Sequence, residues 1–198
     1  MNAPSATPAP ARSVAEGQLA HPLDEFYAQA GLPLPPIAEI AGGSVPQPYR
    51  RLLVHQHDMT PTLERFHGHD IHLRLLGKRQ RGSQYFREVV LLLDGTNQPV
   101  EFGAIKINLE LFSAAAQRQI LEEQRPLGHI MQECGVRHSS HPKAFLRIAT
   151  DQVINDALGL RGAHVLFGRR NTLFDLQDRS LAEIVEILPP AGRRSGKG

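Results

Sequence analysis

Apolar and polar positions alternate in two rhythms along this chain. In the first, apolar residues recur every second position or run together for six to nine residues between turn-forming residues, the pattern of strands. This predicts strands at Arg51–His57, Asp70–Leu76, Tyr85–Leu93, Val100–Asn108, Ala144–Ile148, Val165–Arg170, Thr172–Asp175 and Ser180–Leu188. The turn Asp94-Gly95-Thr96-Asn97-Gln98 joins two of them as a hairpin. In the second rhythm apolar residues fall at helical spacing between recognisable caps. Short helices are predicted at Pro22–Ala28, at Pro61–His67 with Thr60 as cap and Gly68 as stop, and from Ser113 to Gln124. Two more run from Leu127 to Cys134 behind Pro126, and from Asp151 to Leu158 before Gly159. Strands cluster in hairpin-like runs with helices inserted between them, rather than alternating one for one. That order favours an α+β fold, an antiparallel sheet with helices packed to one side.

Two regions depart from both rhythms. Residues 1–20 are rich in Ala, Pro and Ser and are expected to be a disordered segment. The stretch from Gly31 to Pro48 carries prolines at 33, 35, 36, 46 and 48 and is expected to wrap the surface without a long regular element. The body of the domain is then 21–190, followed by a flexible basic tail at 191–198.

Composition narrows the function classes. The 198 residues are 41% hydrophobic and 21% charged, ordinary for one globular domain with a real core. The net charge of +2 is small, with Arg193, Arg194 and Lys197 at the tail, so nothing favours nucleic-acid binding. The apolar run Val89–Leu93 is too short to span a membrane, and the N-terminus reads as no signal peptide. The single cysteine, Cys134, forbids an intrachain disulfide and fits a reducing cytoplasm, the expected location. It is expected to be a buried structural thiol.

Candidate chemistry starts at Arg87. On a strand it shares a face with Tyr85, Val89, Leu91 and Leu93. A guanidinium keeps its proton, and burying it unpaired is costly, so an anion must lie nearby. That anion is either another residue of the chain or a ligand carboxylate or phosphate. The last predicted strand holds two acids, Glu183 and Glu186, on opposite faces of an apolar run. Either can meet an internal arginine or a ligand. The histidine pairs His55/His57, His67/His69 and His138/His141 lie mostly beside turn residues and read as solvated, so no metal is expected. Phosphate-binding glycine loops and the Gly-x-Ser-x-Gly elbow are absent. Helix starts at Thr60-Pro61 and Pro126-Leu127-Gly128 offer free N–H groups to carboxylates, and Gly128 would let a ligand approach the backbone.

An ordered set of short motifs carries a resemblance. It comprises Asp58-Met59-Thr60 with Glu64, Phe86-Arg87-Glu88-Val89-Val90-Leu91, Gly103, Pro126-Leu127-Gly128, Phe167-Gly168-Arg169-Arg170, and Glu186 before Pro189-Pro190. Spread over roughly residues 50 to 190, these resemble the chorismate lyase family, in a divergent branch. The resemblance implies one antiparallel sheet of about six strands, helices over one face and a buried internal ligand site. It implies a cofactor-free reaction in which chorismate yields 4-hydroxybenzoate and pyruvate, with ubiquinone synthesis as the family's usual destination. It assigns Arg87 and Glu186 as catalytic residues, Arg87 on the ring carboxylate and Glu186 at the ring hydroxyl. Met59, Thr60, Gly103, Leu127 and Gly128 complete the substrate-binding set. The chain departs from the family at Ala104, where the best-known enzymes carry arginine, and Glu183 remains a rival to Glu186. The alternative of the same fold is a non-catalytic module that binds or senses an aromatic acid.

Overall fold

The structure is a computed structural model that describes residues 18–191. The expected disordered start and basic tail fall largely outside the described residues. At the inner edge of the first, Ala20 is fully buried and Leu19 packs on the same core, so ordered structure begins before residue 21.

The elements, in chain order, are α1 (Leu23–Gln29), β1 (Ile37–Ile40), α2 (Tyr49–Leu53), α3 (Met59–His67), β2 (Ile71–Arg81), β3 (Gln84–Leu93) and β4 (Pro99–Asn108). Then follow α4 (Ala114–Glu122), α5 (Leu127–Glu133), β5 (Ser139–Ala149), α6 (Gln152–Leu158), β6 (Val165–Phe174) and β7 (Ser180–Leu188). All strands join one antiparallel 7-stranded sheet in the order β1-β5-β6-β7-β4-β3-β2. It is two meanders, β2-β3-β4 and β5-β6-β7, zipped together where β4 pairs with β7. The seventh strand is β1, a short edge in the Pro-rich stretch, paired with β5. Expected strands at Val165–Arg170 and Thr172–Asp175 are one continuous strand, because Asn171 stays in register opposite Ile184.

The expected strand Arg51–His57 is wrong. Tyr49, Leu52 and Leu53 are buried at helical spacing and form α2, and the chain then runs irregularly to Asp58. The apolar run Leu52-Leu53-Val54 imitated a strand because the helix begins earlier, just after Pro48. At α3 the helix starts at Met59 with Asp58 in the capping position, so Thr60 lies inside the first turn. Proline is tolerated there because first-turn N–H groups have no intrahelical acceptor. The other caps follow the sequence closely: Ser113 accepts from the Ala116 amide at 3.3 Å, Asp151 accepts from Ile154 at 2.9 Å, and Gly68 closes α3 with φ +70°.

Strand alternation divides the core into layers. On one face Phe86, Val90, Phe102, Val185 and Ile187 pack against α1 and α6. On the other, Leu73, Val89, Leu91 and Leu93 pack under α2 and α3, and Tyr85, Ile105, Ile107 and Leu173 under α4 and α5. The helices α2–α5 form the expected one-sided cover, and α1 and α6 add a smaller layer behind the sheet. Between these two clusters, at the β4–β7 seam, the side chains do not close up.

Candidate functional site: a buried cavity between sheet and helices

The gap at the seam is a cavity of about 70 Å³. That is well below the few hundred cubic ångströms of a usual small-molecule site, which excludes a nucleotide and restricts any ligand to a small one. Leu73, Val89, Leu91, Ile105, Met131 and Leu173 give it mainly apolar walls. Larger depressions of 470 and 410 Å³ open elsewhere, but neither Arg87 nor any of the fully buried ionisable groups faces them.

Seven positions that the sequence singled out line this one cavity. They are Met59 and Thr60 from the start of α3, Leu127 and Gly128 from the start of α5, Arg87 from β3, Gly103 from β4 and Glu186 from β7. Residues on three strands and two helices thus converge although up to 127 positions separate Met59 from Glu186. The two helix starts touch: a Cβ on Gly128 would stand 3.4 Å from the Thr60 hydroxyl.

Gly103 forms the floor. It lies on β4 between Glu101 and Ile105, on the cavity side, opposite Glu186 of β7. A side chain there would meet the Val185 carbonyl at 2.2 Å, and one on Gly168 would meet the Glu186 carbonyl at 2.4 Å. The two glycines let β4 and β6 close on β7 at the level of Glu186, which is a reason of packing rather than of turn geometry.

Arg87 is 1% exposed, and its Nε and Nη1 have no hydrogen-bond partner. Burial pushes its guanidinium down to about 10, opposed by the negative charge of Glu123 and by Tyr85. It therefore stays cationic at neutral pH. The Tyr85 hydroxyl is itself committed, donating to Glu123 Oε1 at 2.7 Å. A buried, charged and unsatisfied donor group facing a cavity is a recognition site for an anion.

The opposite end is built differently. Glu186 is 4% exposed but not free: Arg169, fully buried, donates through Nε to its Oε2 and through Nη2 to its Oε1 at 3.5 Å. The same guanidinium donates to the carbonyls of Leu53 at 3.4 Å, His55 at 3.2 Å and His57 at 3.1 Å. Arg169 therefore straps the irregular segment before α3 onto the sheet and holds Met59 against the cavity. Glu183 points to the other face, where Lys106 reaches it at 2.8 Å, so it is no rival to Glu186 for the cavity. The internal Arg–Glu pair that the sequence left open does exist, but its arginine is Arg169.

Sequence reasoning missed Glu101. It is 5% exposed, lines the cavity, and has a buried Oε2 without a partner. Burial raises its carboxyl well above the usual range, as does the Glu186 charge, against the pull of Arg169. The signal was present: an acid two residues before Gly103 shares its face in the apolar run Val100-Glu101-Phe102. The two acids of the first motif, Asp58 and Glu64, are structural. Asp58 pairs with His138 at 2.9 Å, and Glu64 takes the Ile71 amide at 3.2 Å and His129 at 2.8 Å. Cys134 is only partly buried, near the end of α5. Among the described residues no group of three His, Cys, Asp or Glu side chains could hold a metal ion, and no helix is long and apolar enough to cross a membrane. His55 and His57 stack at 5.5 Å on the irregular segment rather than on a strand.

No sequence-family profile matches this chain, and no curated protein does. Solved structures resemble it in fold. PhnF from Mycobacterium smegmatis matches with a TM-score of 0.51 at 12% identity, over 84% of this chain and 92% of that one. The PhnF effector domain matches with a TM-score of 0.50 at 14% identity, over 66% and 87%. A GntR-family transcriptional regulator from Bacillus cereus matches more loosely, with a TM-score of 0.46 at 11% identity, over 61% and 92%. The fold is the chorismate lyase-like one, which such regulator domains share. At these identities the likeness defines fold alone, and the function rests on the cavity.

Proposed function

We propose that this protein is a small-molecule binding module that holds a ring monocarboxylic acid, such as 4-hydroxybenzoate, in the cavity under α3 and α5. The observation that carries this reading is Arg87, a buried cation with two unpartnered donor nitrogens that lines the cavity. A ligand carboxylate there would accept from this planar, permanently charged donor set, whose geometry lysine would not reproduce. Aliphatic walls accept the ring. The pocket interior supports a single negative charge on the ligand, since Arg169 is already committed to Glu186.

The same arrangement supports a second reading, chorismate lyase activity. The ring C–O bond to the enolpyruvyl group would break, the ring would lose a proton as it aromatises, and the enolpyruvate would take up a proton to become pyruvate. Arg87 would fix the ring carboxylate, and the amides at the start of α3 would face the second carboxylate. The resemblance of the ordered motifs favours this reading. Against it stand Ala104 in place of an arginine and the ion-paired state of Glu186.

Calorimetric titration with 4-hydroxybenzoate tests the binding reading. The wild type is expected to bind, and Arg87→Met to bind at least tenfold more weakly with an unchanged circular dichroism spectrum. Binding that ignores this substitution would refute it. Incubation with chorismate separates the two readings: 4-hydroxybenzoate and pyruvate released in equal amounts, and lost with Arg87→Met, establish the lyase.

A further inference from the structure

Besides Asp58, which pairs with His138, two carboxylates and two guanidinium groups line or border this cavity, and they do not match in pairs. Arg169 takes Glu186. Arg87 sits at the other end of the β3–β4 ladder from Glu101. Arg87 faces Ile105 across the ladder and Glu101 faces Leu91, so four residues, about 13 Å of strand, lie between the levels of the two groups. The charge that steadies Arg87 comes from Glu123, on its far side, not from Glu101. That leaves Glu101 beside an already neutralised ion pair, fully buried, with no cation of its own. A second buried negative charge next to Glu186 would be expensive, and a proton removes it.

We propose that Glu101 is a protonated carboxylic acid in the folded protein and donates its O–H to a neutral oxygen of the ligand, at the end of the cavity remote from Arg87. It thereby determines specificity. This rests on the ring-acid reading above and sharpens it. The preferred ligand is a monoanion at one end and carries an uncharged acceptor, a hydroxyl or carbonyl oxygen, at the other. Ligands with a second carboxylate at that end meet no free cation and are rejected. Glu186 cannot supply the donor, because both its oxygens accept from Arg169. The other ionisable groups facing this part of the cavity are Arg87, across it, and Asp58, whose charge is held by His138.

Two measurements on this chain test the proposal. The first needs no ligand. An infrared difference spectrum of wild type against Glu101→Gln at neutral pH is expected to contain the carbonyl stretch of a protonated carboxyl. Its absence would overturn the proposal whatever the cavity binds. The second is titration of 4-hydroxybenzoate and of benzoate into wild type, Glu101→Gln and Glu101→Leu. Glutamine keeps a donor, so 4-hydroxybenzoate affinity is expected to stay within about threefold of wild type. Leucine leaves the ligand oxygen unpaired, and an affinity loss of roughly ten- to a hundredfold is expected, with benzoate scarcely affected. A loss with glutamine as large as with leucine, in a folded protein, would show that Glu101 acts as an ionised acceptor and would overturn the proposal. If wild type binds neither acid, the ring-acid reading and the ligand half of this proposal fail together, while the infrared result still decides the protonation state.

Discussion

Arg87 and Arg169 stand on the same face of one sheet, both essentially inaccessible to water, yet their surroundings are opposite. Arg169 has every direction of its fork occupied, by Glu186 and by the carbonyls of Leu53, His55 and His57. Arg87 has two buried nitrogens with no partner and lines the cavity. Burial by itself does not distinguish a structural cation from a ligand anchor. The distinction lies in whether the fold supplies acceptors for the buried N–H groups. Where it does, the arginine fastens the chain to itself. Where it does not, the desolvation cost of the charge is left for a ligand to offset.

Substitutions at the two sites should separate these roles. The largest effect is expected at Arg169→Met, which strands the buried Glu186 carboxylate and releases the segment before α3. Removing one partner of a buried pair costs about 3–5 kcal/mol, and urea unfolding should record a loss of that order. An unchanged midpoint would make Arg169 dispensable and undo the contrast. Arg87→Met should do the reverse. Without ligand it removes an unpaired charge and is expected to leave stability within about 1 kcal/mol of wild type or to raise it, while stabilisation by added 4-hydroxybenzoate disappears.

Gly103→Ala examines the floor between them. Its Cβ would stand 2.2 Å from the Val185 carbonyl, and forcing β4 away from β7 is expected to cost about 1–3 kcal/mol. A stable variant with normal ligand affinity would mean the seam is more pliable than its packing suggests.

The smallest effect lies on the reverse face. There Glu88 is partly buried near Asp151, and burial first, then the Asp151 charge, lifts its carboxyl to about 7. The folded protein holds this proton more tightly than the unfolded chain does. Stability should therefore fall as pH rises from about 4.5 to about 7 and stay lower above that. After allowance for the group's solvent contact, the decline is on the order of 1–2 kcal/mol. Glu88→Gln should flatten it in unfolding curves taken at pH 5 and pH 8. A wild-type curve that is already flat would leave Glu88 without this influence.

Much of this was legible in the chain because it depends on local rules. Alternation placed Arg87 on an inward face, capping residues fixed α3 through α6 to within a few residues, and turn chemistry fixed the β3–β4 hairpin. The failures came where the determining contacts are distant. Residues 51–57 were misjudged because a five-residue helix carries too little periodicity to compete with a short apolar run. Glu101 was overlooked because one acid in an apolar strand is ambiguous until its neighbours across the sheet are known.

The sequence by itself therefore determined which residues can carry charge into the interior, and on which side of each strand they point, since both follow from side-chain chemistry and a two-residue period. Only the tertiary structure decided which charges are neutralised. Glu186 meets Arg169 because β6 and β7 pair in one particular register, while Arg87 meets no carboxylate across the cavity because Glu101 stands four residues further along the ladder. Ion pairing depends on separations of a few ångströms, and these are set by strand order and register rather than by position along the chain.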